Sequence, residues 1–415
     1  MRLLLLLLVT LSTALPITLE EAKRLALEKH IDAIKSELEL KRLEEKIREV
    51  KGSVLPSVFL SASFTRWDPN YISSFVPENK YQVRLSLNQA IFDKGVWEAL
   101  RLARRSKELQ RAVIEEVKAS LLSEMEKLFW AVLLKKQILE EKKNSLKYWE
   151  NYFALVKEKY SEGIVPRYEF LRARAQLRQA KADLIRAESD LESSKNSLKS
   201  LLGLSGELEV EGSLVPESIS LRDPFGVFER NNTTLKVAKE TYRLKLAGEG
   251  IKRAEYFPKL SAFFNYNLEN IIDFQNGQLK EDYRYGYNFG LRFEWTLFDG
   301  WKRKAKVMQE KIESQKAKRE LEFLKNKLRN ELDTLLKKLS GAREELRARE
   351  DYLLASEESL KFATQRYAHG VGSQIELLEA RRDYENARIS YMNAVYTYNS
   401  VLADIKRLLG MQTTR

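Results

Sequence analysis

Between Lys94 and Ser161 the chain contains no proline, and apolar residues recur at steps of three, four or seven: Leu102, Leu109, Val113, Val117, Leu121, Met125, Leu128, Val132 and Leu139. That spacing lays one apolar stripe along one face of an α-helix. At about 1.5 Å per residue a helix over 94–161 is on the order of 100 Å long. No ordinary globular core requires that. Charged residues make up 32% of the 415, with only 17 Gly and 8 Pro, which fits extended helices with solvated faces better than a compact domain.

The long run ends in a sharp reversal, YSEGIVPRYEFLRA over 160–173, and the reversal occurs again as YAHGVGSQIELLEA over 367–380. At an offset of 207, Tyr160 matches Tyr367, Gly163 matches Gly370, Glu169 matches Glu376, Leu171 matches Leu378, Ala173 matches Ala380 and Arg174 matches Arg381. A turn repeated at that distance marks a duplicated chain. Each half reads helix, strand, strand, long helix, turn, helix. The first repeat, 15–202, has one helix over 17–52, strands over 58–67 and 81–91, the long helix 94–161 and a helix over 167–202. An irregular linker follows at 203–224. The second repeat, 225–410, has one helix over 225–257, strands over 259–269 and 284–298 around a loop containing Asn276-Gly277, a long helix 299–368 and a helix over 373–409. A short tail, 411–415, remains. Pro56 and Pro258 open the strand pairs. Phe92-Asp93 and Phe298-Asp299 return the chain to helix, with Asp93 as the expected N-cap.

In the strands the period falls to two. Val58, Leu60, Ala62 and Phe64 alternate with polar or small neighbours, as do Tyr81, Val83, Leu85 and Leu87, then Leu260, Ala262, Phe264, Tyr266 and Leu268, and finally Tyr285 through Leu297. Each run gives one apolar and one polar face. Four such strands cannot close on themselves, and open edges are not tolerated in lipid, so closure demands further copies. Bacterial barrels hold even strand numbers from about 8 upward, so two chains would give about 8 strands and three about 12. Aromatics at the strand ends (Trp67, Tyr71, Phe75, Tyr81, Trp97, Tyr256, Tyr283, Trp295, Trp301) suit an interfacial girdle.

Residues 1–14 have the charged start, short apolar run and small-residue end of a secretory signal peptide. No later window supplies the roughly 20 apolar residues of a transmembrane helix, so any membrane insertion uses strands. The chain has no Cys, which removes disulfides, thiolate metal sites, a cysteine nucleophile and an acylated cysteine. His30 and His369 are its two histidines, too far apart in sequence for a shared metal site; neither metal nor cofactor is expected. The net charge of +12 could suggest nucleic acid, but an exported protein rarely meets it, and none is expected as a partner. Without a glycine-rich phosphate loop, GxSxG or HExxH, the chain reads as a non-enzyme.

From Leu19-Glu20-Glu21-Ala22 through the proline-led strands, the Phe-Asp junctions and both tip turns to Gly410, the order of these features resembles the TolC family of outer-membrane efflux and secretion channels. The resemblance implies a mixed α and β fold in which long antiparallel helical hairpins form an α-barrel and four strands per chain contribute to a 12-stranded trimeric transmembrane β-barrel. It also implies a homotrimer in outer-membrane lipid with its helical shaft in the periplasm, docked to a periplasmic adaptor (membrane fusion) protein and an inner-membrane transporter. The function implied is the exit duct of a tripartite efflux or type I secretion system. The alternative is a periplasmic coiled-coil adaptor or structural shaft without channel activity.

In that setting the chemistry is charge at a constriction. Glu376 and Glu379 are three apart and share a helix face; by resemblance they line the periplasmic entrance, where rings of carboxylates select cations. Arg382 lies three positions from Glu379, and in the first copy Glu169 has Arg172 at the same spacing, which reads as a neutralised surface pair. Tyr367 and Glu169 match family positions that link neighbouring helices of the closed entrance. Gly372 stands where some members place a gate arginine, which leaves either a weaker latch or Arg366 in its place. The turns at Gly163, Ile164, Val165 and Pro166 and at Gly370, Val371, Gly372 and Ser373 break the helices. Their apolar tips, exposed at the end of a shaft, are also expected to contact the adaptor.

Overall fold

The computed structural model describes residues 16–275 and 278–412. The expected signal peptide, the Asn276-Gly277 turn and the last three residues of the tail lie outside them. The chain divides into two compact units. Four helices, α2 (Ile31–Gly52), α3 (Lys94–Ser161), α6 (Thr233–Ala254) and α7 (Lys302–Ala368), contribute to both.

The unit built from Glu37–Val113 and Leu235–Leu324 carries the sheet. Its strands, β1 (Ser57–Arg66), β2 (Asn79–Asp93), β3 (Lys259–Gln275) and β4 (Gln278–Glu294), run antiparallel in the order β1-β2-β3-β4. The register lines up Leu60, Leu85, Tyr266 and Tyr287 in one row and Ala62, Val83, Leu268 and Tyr285 in the next. All the large side chains of these rows stand on one exposed face, with Leu60 74% and Tyr285 76% exposed. The other face carries Ser61, Arg84 and Asn267, where Arg84 Nε donates to Asn267 Oδ1 at 2.7 Å. The outer edges of β1 and β4 have no partner among the described residues.

Three expectations change here, the first being the loop expected over 270–283, which is strand to Gln275 and again from Gln278 because the two keep pairing out to those residues. The alternation that continues through Trp295 and Leu297 is not strand: β4 stops at Glu294, which pairs with Lys259, the first residue of β3. Beyond that point there is no ladder to join, and alternation without a partner does not make a strand. The second long helix then begins at Lys302 rather than 299, after Gly300 and Trp301 both take left-handed φ (66° and 67°). The first junction needs no such turn. Asp93 ends β2 and its side chain accepts directly from Gly95 N–H at 2.8 Å.

The other unit comprises the described residues up to Ser36, Ile114–Thr234 and those from Lys325 onward. Here the expected single helices over 17–52 and 225–257 are each two. The first breaks at His30 between α1 (Leu19–Lys29) and α2. The second breaks at Asn232 between α5 (Pro224–Asn231) and α6. One non-helical residue barely disturbs an apolar spacing, so periodicity runs through both. What ends the helices is polar, distant at Asn232 and local at His30. Asn232, 2% exposed, donates Nδ2–H to the Leu408 carbonyl at 2.8 Å. His30 Nδ1 accepts from the Asp32 N–H at 3.2 Å, satisfying a free amide of the first turn of α2.

The returning helices, α4 (Arg167–Leu202) and α8 (Gln374–Leu408), end against these breaks. A Cβ on Gly203 would lie 3.6 Å from the Lys29 carbonyl, and one on Gly410 only 2.4 Å from that of Asn231. The duplication is therefore repeated in tertiary contact as well as in element order. Around this level lie the largest buried side chains, including Met125, Phe129 and Val132 of α3, Leu198 and Leu202 of α4, and Leu402, Ile405 and Leu408 of α8; each contributes about 1.5–3 kcal/mol by leaving water. The linker packs here too. Val210 bridges Ile17 in parallel, and Asn399, fully buried, donates to Val215 O and accepts from Glu217 N. No helix among the described residues is long and apolar enough to cross a membrane.

Candidate functional site at the helical tips

Both reversals are built by the same backbone device. Gly163 and Gly370 take φ of 73° and 70°. Each donates to the carbonyl three residues back (Tyr160, Tyr367), and the next residue donates to the carbonyl five back (Lys159, Arg366). That pair of bonds is a Schellman C-cap, and it needs the left-handed conformation that glycine adopts without strain.

After the cap the two tips diverge. At the first, α4 starts from Pro166, which makes no side-chain cap, and Phe170 stacks on Tyr160 at 4.9 Å and packs against Phe153 at 5.7 Å. At the second, Ser373 caps α8 by accepting from the Glu376 N–H at 3.1 Å, and the packing is the small cluster Ala363, Leu377 and Ala380 with Leu360 and Tyr367 against it. A Cβ on Gly372 would come 2.9 Å from Arg366 Cβ and 3.0 Å from Tyr367 N, so this turn has no room for an arginine at 372. Arg366 fills the vacancy in charge from the other helix. Its Nε lies 3.3 Å from Glu376 Oε1, without hydrogen-bond geometry, while Nη2 donates to Val371 O at 3.3 Å and the guanidinium sits over Phe362.

Glu376 and Glu379 do share a face. Both line a groove of about 340 Å³ between α7 and α8 together with Asp383, a third carboxylate one turn further on that sequence reasoning missed although its spacing from Glu379 was readable. Glu376 is the partly neutralised member, through Arg366. The expected pairing of Glu169 with Arg172 is not present: Glu169 accepts from the Tyr168 hydroxyl at 3.2 Å, and among the described residues neither Glu169 nor Glu379 is in an ion pair. Such i, i+3 pairs on a solvated helix contribute only a few tenths of a kcal/mol, too little to dictate side-chain placement.

Tyr367 and Glu169, from different hairpins, are brought to one place by Tyr152 of α3. Burial first, then Tyr367, Tyr148 and Glu169, push the Tyr152 phenol up to about 12 against the opposing pull of Arg172. Tyr148 and Tyr152 stack at 6.4 Å with rings 4° from parallel. Nothing in the local pattern of α3 marked these tyrosines, since aromatics at helical spacing read as core. At the turns themselves Ile164 is 65% and Val371 69% exposed, and Val165 is half-buried. No group of three or more His, Cys, Asp or Glu among the described residues is placed to hold a metal ion.

The architecture and the tips can be set beside known proteins. A model of the outer membrane efflux protein family matches the chain twice, over residues 23–204 and 228–411, one match for each repeat. Outer membrane protein TolC of Salmonella enteritidis is 22% identical over 377 residues, 88% of this chain and 76% of that one. Among solved structures, CusC superposes with a TM-score of 0.78 at 17% identity, covering 94% of this chain and 91% of that one. The open state of the Neisseria gonorrhoeae MtrE outer membrane channel gives 0.78 at 19% identity, covering 94% and 88%. The structural likenesses show a shared fold; the family match, spanning most of the sequence, shows that this chain belongs to the outer membrane efflux proteins.

Proposed function

We propose that three copies of the chain join their sheets into one barrel of twelve strands, four from each, and that the trimer is the exit duct of a tripartite efflux or type I secretion system. The family makes the chain an outer-membrane efflux channel; the assembly, the partners and the gate are our reading. One observation carries it: a four-stranded sheet with an exposed apolar face and two open edges. In lipid those edges leave backbone groups unsatisfied unless other copies pair with them. Two chains would supply about eight strands, whose interior side chains fill, so a conduit needs a third. A shaft without channel activity has no use for such a face.

In this reading residues 1–14 direct export, and substrate passes passively from an inner-membrane transporter through a periplasmic adaptor into the helical end of the trimer. Glu376, Glu379 and Asp383 of three chains form the acidic lining there, with Tyr367 and Glu169 at the contact between hairpins. Ile164, Val165 and Val371, held out by Gly163, Gly370, Gly372 and Ser373, dock the adaptor. Reconstitution of the purified protein into planar bilayers tests this: a conducting trimer is expected, and a monomer without conductance would sink the duct. Glu376→Gln with Glu379→Gln should lower cation over anion selectivity, and unchanged selectivity removes these two from the lining. Val371→Asp should leave trimers intact but abolish adaptor capture.

A further inference from the structure

Within each hairpin the tip packs mainly through apolar or aromatic side chains, with the Arg366–Glu376 pair and the Ser373 cap added at the second. Between hairpins, where α3 meets α8, it does not. Glu141 of α3 has a side chain only 1% exposed, with Arg388 Nη1 at 3.0 Å from Oε2 and Arg381 Nη2 at 3.7 Å from Oε1. Neither carboxylate oxygen makes a hydrogen bond. Beside it Lys142 Nζ lies 2.5 Å from Glu385 Oε1, and Ser145 donates to Glu385 Oε2 at 2.9 Å. Arg381 is held flat by aromatic rings, Tyr148 at 5.2 Å and Tyr384 at 5.8 Å, and its own Nε is buried without a partner.

A buried carboxylate with two cations in range but no hydrogen bond loses its hydration and is incompletely repaid. Burial lifts the Glu141 carboxyl above the ordinary carboxylate range; Arg388 and Arg381 pull it down and Glu385 adds to the lift. Glu141 is therefore the member of the seam that gains by parting, because water restores what the contact withholds, and it opposes the Lys142–Glu385 and Ser145–Glu385 contacts that hold the seam together. Apolar faces inside each hairpin lose by parting. Arg381 stands two residues beyond Glu379, so whatever holds or releases α8 at this level carries the acidic face with it.

Resting on the proposed gate at the tips, we propose that Glu141 is a positioning residue that loads the α3–α8 seam toward separation, so that its hydration as the hairpins part helps move Glu376 and Glu379 away from the arrangement in which α3 and α8 are in contact.

Because the closed seam favours the protonated acid, its stability is whole below the ordinary carboxylate range and declines as pH rises through the lifted value. The groups acting on Glu141 are Arg388, Arg381, Glu385 and Lys142, and the rings of Tyr148 and Tyr384 pack on Arg381. The experiment is single-channel recording of the reconstituted trimer across the acid range. The parent should open more readily as pH rises. Glu141→Gln should lower the neutral-pH open fraction about tenfold and remove that part of the pH response, leaving only what the other carboxylates contribute. Glu141→Asp, which keeps the charge, should retain the response. The parent titration stands even if a variant fails to assemble. A conducting parent with no acid-range response, or an E141Q channel as open as the parent or more so, overturns the inference alone. A parent that does not conduct overturns the channel reading and this inference together.

Discussion

The two tips share a backbone and differ in what holds it. Gly163 and Gly370 make the same pair of cap bonds, yet the first turn is locked by Phe170 between Tyr160 and Phe153. The second is closed by alanines, a serine cap and the Arg366–Glu376 pair. At the offset of the duplication Val165 stands opposite Gly372, and Pro166 opposite Ser373. The lesson is that one turn motif can serve as a rigid post or as a movable end, depending on whether burial or polar bonds stabilise it. Aromatic burial resists water, whereas a charge pair exchanges with it.

That contrast can be broken experimentally. Phe170→Ala should loosen the first tip by about 2 kcal/mol, since the ring is half-buried and most of its contacts are lost; hydrogen exchange of the 160–173 amides should quicken roughly thirtyfold while those of 367–380 stay unchanged. Equal quickening at both tips would show that the hairpins open as one unit. Gly372→Ala should cost the second tip about 1.5 kcal/mol, because the new Cβ meets backbone as well as Arg366. Ser373→Ala should cost about 1 kcal/mol through the lost cap, whereas Pro166→Ala at the matching position removes no side-chain bond and should slow or quicken exchange little. The smallest effect at neutral pH lies where the tips meet. Tyr152 favours the neutral phenol, so its contribution is whole below about pH 10 and declines as pH rises through about 12. Burial also raises the Tyr148 and Tyr391 phenols, so absorbance titration should show several late-ionising groups, the latest of which is lost in Tyr152→Phe; an unchanged titration curve places the high value on another tyrosine.

Much of this was legible in advance because it is local. The helix-ending glycines, the Pro56 and Pro258 strand starts and the Asp93 junction each act within a few residues, and period-two and period-3.6 patterns declare themselves in a short window. The shared face of Glu376 and Glu379 follows from helical geometry alone. Sequence spacing failed where a pattern had no partner or where a distant group took over. Trp295 and Leu297 alternate like a strand but have no strand partner, because the ladder ends at Lys259. Glu169 and Arg172 have a pairing distance and do not use it.

By itself the sequence determined the element types, the duplication, the apolar face of the strands and the chemistry of each turn, since all of these are encoded by near neighbours and repeat period. Only the tertiary structure decided where the helices break, through Asn232 on Leu408 O, and why Gly372 excludes a larger residue, through Arg366. It alone also decided that Glu141 is sealed between Arg381 and Arg388. The Glu141 site depends on side chains from different hairpins meeting in three dimensions, the Asn232 break on a carbonyl 176 residues along the chain, and the Gly372 turn on how closely its backbone folds over Arg366. A charge on a helix reads the same in the sequence whether it faces water or is shut away from it.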